Sequence, residues 1–278
     1  MVKIITDTTS ELPTHLAEKH HIPVIPQLIH FGEQTFVEGR DISLDDFLEL
    51  LRSSEHLPKT AAPPPDFFQE TFSSCAACGE PVLCIHPSSK LSGTVRSATM
   101  AAQDFPGIDI RVIDSGLIAS PLGVLVQRAA HLADQGADID SIQRAVESLA
   151  ARNSLYFLVA SLDYLARGGR IGGASALLGN ALQLKPILTL REGQVEPYCK
   201  ERTLNRALTS LSKLVIKDYP SDQDGFLTIM HADAPSRAQK LASELQTALE
   251  VPLPRISPLT PAIVTHAGPG AIAVGFFS

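Results

Sequence analysis

A hydroxyl-rich loop in the first third of the chain carries the clearest chemical signal. Residues 88–94 read Ser-Ser-Lys-Leu-Ser-Gly-Thr and follow an apolar run that predicts a buried strand. The residues after the loop predict a helix, whose free N–H groups favour a negative charge. The hydroxyls can donate hydrogen bonds, and Gly93 lets the backbone come close to a ligand. The loop therefore predicts an anion site; the alternative interpretation is a helix N-cap at Ser92 with solvated hydroxyls.

Two carboxylates follow predicted strands in the same half of the chain. Asp7 and Asp114 stand at the carboxyl ends of these strands, the edge at which open α/β sheets bind ligands. With the loop Ser88–Thr94 they would form the site of an enzyme acting on a small phosphorylated or hydroxylated substrate. The favoured interpretation is that both aspartates cap the turns that follow them.

The second half of the chain contains an arginine and a histidine that lie near glycines. Arg170 lies within the run Gly168–Gly173, and His266 lies in the segment Thr-His-Ala-Gly-Pro-Gly of residues 265–270. Either side chain could contact an anion; solvated side chains in turns are the alternative. His86 and His231 stand alone, and no Walker A loop, Rossmann fingerprint or Gly-x-Ser-x-Gly motif is present.

The cysteines carry a weaker signal. Cys75 and Cys78 have the spacing of half a zinc site, and Cys84 lies nearby, but no second pair has matching spacing. A zinc-stabilised interaction protein is therefore an alternative. Reduced cysteines without a ligand role are the favoured interpretation.

Composition narrows the function classes. The 278 residues are 44% hydrophobic and 19% charged, which predicts a globular protein, and the net charge of −7 argues against a general nucleic-acid binder. No apolar run reaches the roughly 18 residues that a membrane span needs, and the N-terminus lacks the apolar segment of a signal peptide. We therefore expect a cytoplasmic protein.

The elements that must position these residues predict an α/β fold in two domains. Strands alternate with helices in residues 1–153, which predicts a mainly parallel sheet with helices on both faces. In residues 154–278 a predicted β-hairpin indicates a mixed sheet with helices mainly on one face. Among the details, residues 22–31 are predicted as one strand, residues 53–65 as a loop and residues 263–266 as a strand.

Six segments, in order along nearly the whole chain, resemble the signature motifs of the DegV family. They are Asp7–Pro13, Ser88–Thr94, Val112–Ser115, Tyr164–Ile171, Lys185–Leu188 and Thr265–Gly270. The resemblance implies a two-domain protein that binds a long-chain fatty acid, such as palmitate, stearate or oleate, in a tunnel between the domains. It implies a carrier without catalysis, metal or cofactor. The carrier presents the carboxylate to a separate fatty acid kinase, and this role allows transient contact with a membrane.

The resemblance also implies which residues contact the carboxylate head group of the fatty acid. The family's carboxylate contacts fall on Thr60 and on Ser92, with Gly93 beside it. Ala61 and Ala62 stand where the family has Ser and Gln, so the neighbours of Thr60 lack polar side chains.

Three further ligand contacts follow from the motifs of the second half. Arg170 and His266 lie in matching motifs and would complete the polar end of the site. Arg202, which follows the predicted hairpin, occupies a family-like position and is a weaker candidate.

Overall fold

The computed structural model describes residues 1–220 and 225–278, and for residues 179–183 it describes the backbone alone. The chain forms two compact units, Met1–Ala151 and Arg152–Ser278. The division thus falls ahead of Arg152, whereas the sequence pattern predicts it after residue 153. Within the described ranges, no helix combines the length and the apolar character that crossing a membrane requires.

The first unit alternates strands and helices. Its strands are β1 (Lys3–Asp7), β2 (Val24–Ile25), β3 (Leu28–Phe31), β4 (Gln34–Val37), β5 (Lys59–Ala61), β6 (Val82–His86) and β7 (Ile110–Asp114). Its helices are α1 (Thr14–Lys19), α2 (Leu44–Ser53), α3 (Asp66–Cys78), α4 (Thr94–Ala102), α5 (Ser120–Asp134) and α6 (Ile139–Ala150).

A parallel sheet with the strand order β2-β1-β6-β7 organises this unit. Ile5 of β1 and Cys84 of β6 share a buried cluster with Phe68 and Phe72 of α3 and Ala98 of α4. Because successive side chains of a strand point to opposite faces, the alternate residues of β1 and β6, such as Ile4 and Leu83, lie on the other face, toward the helices α5 and α6. The predicted parallel sheet is confirmed.

A second, antiparallel sheet of three strands, β4-β3-β5, was not expected from the sequence. The prediction of one strand over residues 22–31 is wrong, because Pro26 has no N–H to donate and the chain changes sheets there. The predicted loop over residues 53–65 is also wrong in part, since it contains β5.

The second unit is mixed. Its strands are β8 (Asn153–Leu158), β9 (Lys185–Arg191), β10 (Gln194–Glu201), β11 (Thr228–His231), β12 (Arg255–Pro258) and β13 (Ile272–Phe277). Its α-helices are α7 (Asp163–Arg167), α8 (Leu204–Asp218), α9 (Pro235–Leu249) and α10 (Pro261–Ala267), and a 3-10 segment covers Gly172–Gln183.

These strands form one sheet in the order β10-β9-β8-β13-β11-β12, in which only β11 and β12 pair in parallel among the described strands. The amphipathic helices α8 and α9 cover one face, where Leu211 and Leu245 join Ile187, Ile229 and Val274 in a buried cluster. The predicted mixed sheet and hairpin are confirmed.

The segment before the C-terminal glycines is helical. The prediction of a strand over residues 263–266 is wrong, since these residues belong to α10. Pro261 occupies the first helical turn, where its missing N–H has no cost, and Gly268 ends the helix at φ 74°. The β-branched side chains Ile263, Val264 and Thr265 favour a strand locally, but the Thr260-Pro261 start signal decides the outcome.

Candidate functional site

The loop Ser88–Thr94 joins β6 to α4, as the sequence predicts. The Ser88 N–H donates to the Leu117 carbonyl at 2.9 Å, and the Ser92 N–H donates to the Ser88 carbonyl at 3.0 Å. The Ser88 hydroxyl accepts from the Lys90 N–H at 3.2 Å. These bonds fix the backbone of the loop and thereby the first turn of α4.

Ser92 lies one position before the cap of α4. Gly93 holds the N-cap position, so the interpretation of Ser92 as the N-cap residue is wrong. The Ser92 Oγ instead lies 2.8 Å from the Thr94 Oγ1 and accepts from the Thr94 N–H at 3.3 Å. The side chain is partly exposed. The Ser92 hydroxyl is therefore held in place by Thr94 and is still accessible to a ligand.

Thr60 lies in β5, which approaches the same loop. It pairs with Ile29 of β3. A Cβ atom added to Gly93 would lie 3.3 Å from the Cβ of Ala62, which follows β5. A side chain at residue 93 would therefore crowd Ala62, and this proximity places the Thr60 strand beside the Ser92 loop. The role of Gly93 toward a ligand stays a prediction.

Asp7 and His86 form a buried pair at the carboxyl ends of β1 and β6. The Asp7 Oδ2 lies 2.7 Å from the His86 Nδ1, and both side chains are fully buried. The Asp7 Oδ1 accepts from the N–H and the hydroxyl of Thr9, at 3.0 and 2.5 Å. The capping role of Asp7 is thus confirmed. The view that His86 stands alone is wrong, because β1 and β6 are neighbours in the sheet although far apart in sequence.

Asp114 caps a turn at the surface. Its Oδ1 accepts from the N–H groups of Gly116 and Ser89, at 3.1 and 3.2 Å, and its side chain is exposed. An enzyme that uses both carboxylates needs them in one pocket. A buried Asp7 held by protein donors and an exposed Asp114 do not meet that requirement.

Gln27 belongs to this site although no sequence motif indicated it. Its Nε2 donates to the Asp7 Oδ1 at 3.1 Å and to the Thr94 Oγ1 at 3.0 Å, and its side chain is buried. It thereby connects the strand end of β1 to the loop of Ser92. The signal that could have found it is a lone amide within the apolar run of residues 22–31.

In the second unit Arg170 and His266 lie together around Gly168. The Arg170 Nη1 donates to the Gly168 carbonyl at 2.6 Å, and a Cβ added to Gly168 would lie 2.1 Å from the His266 Nδ1. Residue 168 must therefore be glycine for the imidazole to take this position.

Burial lowers the pKa of both side chains of this pair. Desolvation, assisted by the nearby Arg170 guanidinium, lowers the pKa of His266 to about 4. Desolvation also lowers the pKa of Arg170, although an arginine stays charged at neutral pH. At pH 7 the pair thus offers one cation and one neutral imidazole.

Arg202 and His231 lie on other segments of the second unit. Arg202 is exposed between β10 and α8, and within the described ranges it has no hydrogen bond or ion pair. His231 is buried at the end of β11, where its Nδ1 accepts from the Ala234 N–H at 3.4 Å. Burial lowers the pKa of His231.

The cysteines do not form a metal centre in the described part of the chain. Cys75 and Cys84 lie in the buried cluster between β6 and α3, and Cys78 is exposed. Burial raises the pKa of the Cys75 and Cys84 thiols, which disfavours the thiolate that a metal needs. Among the described residues, no group of three His, Cys, Asp or Glu side chains is arranged to hold a metal ion.

Solved structures of similar fold cover the whole chain. One is described as showing fatty acid binding of a DegV family protein from Thermus thermophilus; it is 31% identical, covers 100% of this chain and 99% of its own, and has a TM-score of 0.91. Another is DegV, a fatty acid binding protein from Bacillus subtilis, at 29% identity, 100% and 99% coverage and a TM-score of 0.89.

Sequence comparisons give the same relationship. A DegV domain-containing protein from Streptomyces coelicolor is 36% identical over 275 residues, which are 98% of this chain and 97% of the relative. The family model described as "Uncharacterised protein, DegV family" matches residues 1–278. The ordered motifs, the parallel and mixed sheets and these matches lead to one conclusion: the chain belongs to the DegV family.

Proposed function

We propose that this protein binds a long-chain fatty acid, with the carboxylate held by the Thr60 and Ser92 hydroxyls and assisted by Arg170 and His266. The observation that carries the proposal is the likeness, over the whole chain, to the fatty-acid-binding DegV proteins of T. thermophilus and B. subtilis. The location of the tunnel stays a prediction from the family resemblance.

The chemistry of the head-group residues supports a carboxylate ligand. A fatty acid is an anion at neutral pH and needs donors. Ser92 offers a partly exposed hydroxyl on a fixed loop, and Thr60 offers a second on the adjoining β5. Arg170 supplies a positive charge and His266 a neutral ring. Each neutral hydroxyl bond contributes about 1 kcal/mol, and an ionic partner strengthens it.

The acyl tail would supply most of the binding free energy. Burial of an alkyl chain contributes about 0.8 kcal/mol per CH₂ group, so about ten methylenes contribute on the order of 8 kcal/mol before ordering costs. The hydroxyls then fix the direction of the ligand, while the tail fixes its affinity.

We further propose that the protein works in the cytoplasm as a carrier for a separate fatty acid kinase. Two observations support a carrier. The sequence contains no Walker A loop for a nucleotide, and the two candidate carboxylates serve as structural caps. Arg202, the weaker candidate for a ligand contact, is exposed between β10 and α8, and its role toward the fatty acid stays a prediction from the family resemblance.

Organic extraction of the purified protein, followed by mass spectrometry, tests fatty-acid binding. We expect a C16 or C18 acid near one equivalent per chain, or uptake of added palmitate or oleate after lipid removal. An empty protein that takes up neither acid contradicts the proposal.

Incubation of the loaded protein with a bacterial fatty acid kinase and ATP tests the carrier role separately. Acyl phosphate, trapped as the hydroxamate with hydroxylamine, is the expected product. If fatty acid is bound but no hydroxamate forms with kinases that serve related DegV proteins, the carrier role is wrong and the binding role stands.

A further inference from the structure

A chain of hydrogen bonds leads from the buried Asp7 through Gln27 and Thr94 to the partly exposed Ser92. The Gln27 Nε2 donates to the Asp7 Oδ1 at 3.1 Å and to the Thr94 Oγ1 at 3.0 Å, and the Thr94 Oγ1 lies 2.8 Å from the Ser92 Oγ. Asp7 and Thr94 are fully buried, and Gln27 is 3% exposed. All four residues belong to the first unit.

The Asp7 carboxylate fixes the direction of the first bond. It accepts from the N–H and hydroxyl of Thr9 and faces the His86 Nδ1 at 2.7 Å. A carboxylate has acceptors alone, so the group of Gln27 that faces it must be the NH₂ and not the amide oxygen. Since the same nitrogen also faces Thr94, both of its hydrogens are used.

The Gln27 amide in turn fixes the Thr94 hydroxyl. Because the Thr94 Oγ1 accepts from Gln27, its own hydrogen must go to another acceptor. Among the described residues the Ser92 Oγ, at 2.8 Å, is the acceptor within its reach, so we infer that Thr94 donates this bond. The Ser92 Oγ also accepts from the Thr94 N–H at 3.3 Å. Both lone pairs of the serine oxygen are thereby engaged, and its own hydrogen is left to donate.

We propose that Asp7, Gln27 and Thr94 are positioning residues that hold Ser92 as a hydrogen-bond donor toward the ligand. This inference rests on the proposed binding of a fatty acid carboxylate. A carboxylate accepts and never donates, so a serine whose proton is directed outward binds it without reorientation. We call the hydrogen-bonded chain of Asp7, Gln27, Thr94 and Ser92 the relay. The relay orients the Ser92 hydroxyl for an anion before the ligand binds.

Thr94→Val removes the hydroxyl and keeps the size of the side chain. On delipidated protein, we expect it to weaken palmitate binding about tenfold, the scale of one hydrogen bond to a charged group. Thr94→Ser should restore most of the affinity. Thr99→Val is the matched control, because Thr99 is exposed on the same helix and its hydroxyl bonds the Val95 carbonyl. It should leave palmitate affinity unchanged.

A double-mutant cycle separates positioning from general damage. If Thr94 acts through Ser92, Thr94→Val has no effect on palmitate affinity in a Ser92→Ala background. An equal loss in both backgrounds overturns the relay. Gln27→Leu provides the same test if Thr94→Val does not fold, with weaker binding expected only where Ser92 is present.

The outcome for the wild-type protein keeps the two proposals distinct. A wild type that binds no palmitate contradicts the proposed function itself. A wild type that binds palmitate, and a Thr94→Val variant that binds it equally well, contradicts the relay alone.

Discussion

Asp7 and Asp114 both lie at strand ends, but they differ in burial and in the groups that they accept hydrogen bonds from. Asp7 is fully buried and meets donors from Thr9, Gln27 and His86, whereas Asp114 is exposed and accepts from two backbone N–H groups. Removal of the carboxylate would leave buried hydrogen-bond donors without an acceptor at Asp7. At the exposed Asp114, water can replace the lost acceptor. Both aspartates follow a strand, but we expect Asp7 to contribute more than Asp114 to the free energy of unfolding.

Asp7→Asn should lower the free energy of unfolding by about 3 kcal/mol, because the amide presents donors to donors within a buried network. Asp114→Asn, the matched control, should cost about 0.5 kcal/mol, since water can satisfy the exposed turn. Urea denaturation of both variants measures the difference. Equal losses would show that the Asp7 network contributes no more than a surface cap.

His266 gives the second unit a pH dependence of defined sign. Its pKa in the folded protein is about 4, below the value near 6.5 of an unfolded histidine. The unfolded chain therefore binds more protons between these values, so stability falls as the pH drops from about 6.5 toward 4.

We expect wild type to lose about 2 kcal/mol more than His266→Gln between pH 7.5 and pH 5, since glutamine does not titrate. Urea denaturation at the two pH values measures this difference. An identical loss in both proteins would contradict a neutral, buried imidazole at this position.

At the scale of elements, the start of α5 is held in an unusual backbone conformation. Ala119 has φ 63° and ψ −151°, a region that glycine occupies almost alone, and its N–H donates to the Thr9 carbonyl at 2.9 Å. Gly123, in the first turn of α5, approaches the 3-10 turn Thr8–Ser10 so closely that an added Cβ would lie 2.4 Å from the Ser10 carbonyl oxygen. Close contact between this turn and α5 thus constrains the connection.

Ala119→Gly should stabilise the protein by about 1 kcal/mol, because relief of the strained backbone outweighs the extra entropy of an unfolded glycine. The expected rise in Tm is about 2 °C. Ala133→Gly, within α5, makes the same chemical change in a regular helix and should lower the Tm. A lower Tm for both variants would contradict strain at Ala119.

Local patterns predicted the long elements and missed the short ones. The buried run Val82–His86 and the hairpin of β9 and β10 were predictable because periodicity and a Glu192-Gly193 turn mark them. The strand β5 has three residues and no pattern of its own, and it forms only because β3 offers a partner. Such a strand is decided by tertiary pairing, which a local window does not contain.

The candidate site divides in the same way. Ser92, Arg170 and His266 were predicted because each lies in a contiguous motif. Gln27 was not, because its two partners lie 20 and 67 residues away in sequence and only the fold brings them together. Sequence motifs therefore identified the groups expected to meet the ligand, while the network behind Ser92 became visible only in the structure.

At the scale of the whole molecule, composition argues against nucleic-acid binding and the fold favours fatty-acid binding. The net charge of −7 argues against nucleic-acid binding, and the DegV family membership assigns an α/β architecture shared with fatty-acid-binding proteins. A ligand whose tail supplies most of the affinity leads to a quantitative expectation, because binding must strengthen with each methylene group.

Calorimetric titration of the delipidated protein with laurate, myristate and palmitate tests fatty-acid binding most directly. We expect one site per chain and an affinity that rises about fourfold for each added methylene, the equivalent of about 0.8 kcal/mol. Chain lengths beyond the capacity of the site would end the rise without abolishing binding. The absence of saturable binding for all three acids would contradict the central claim.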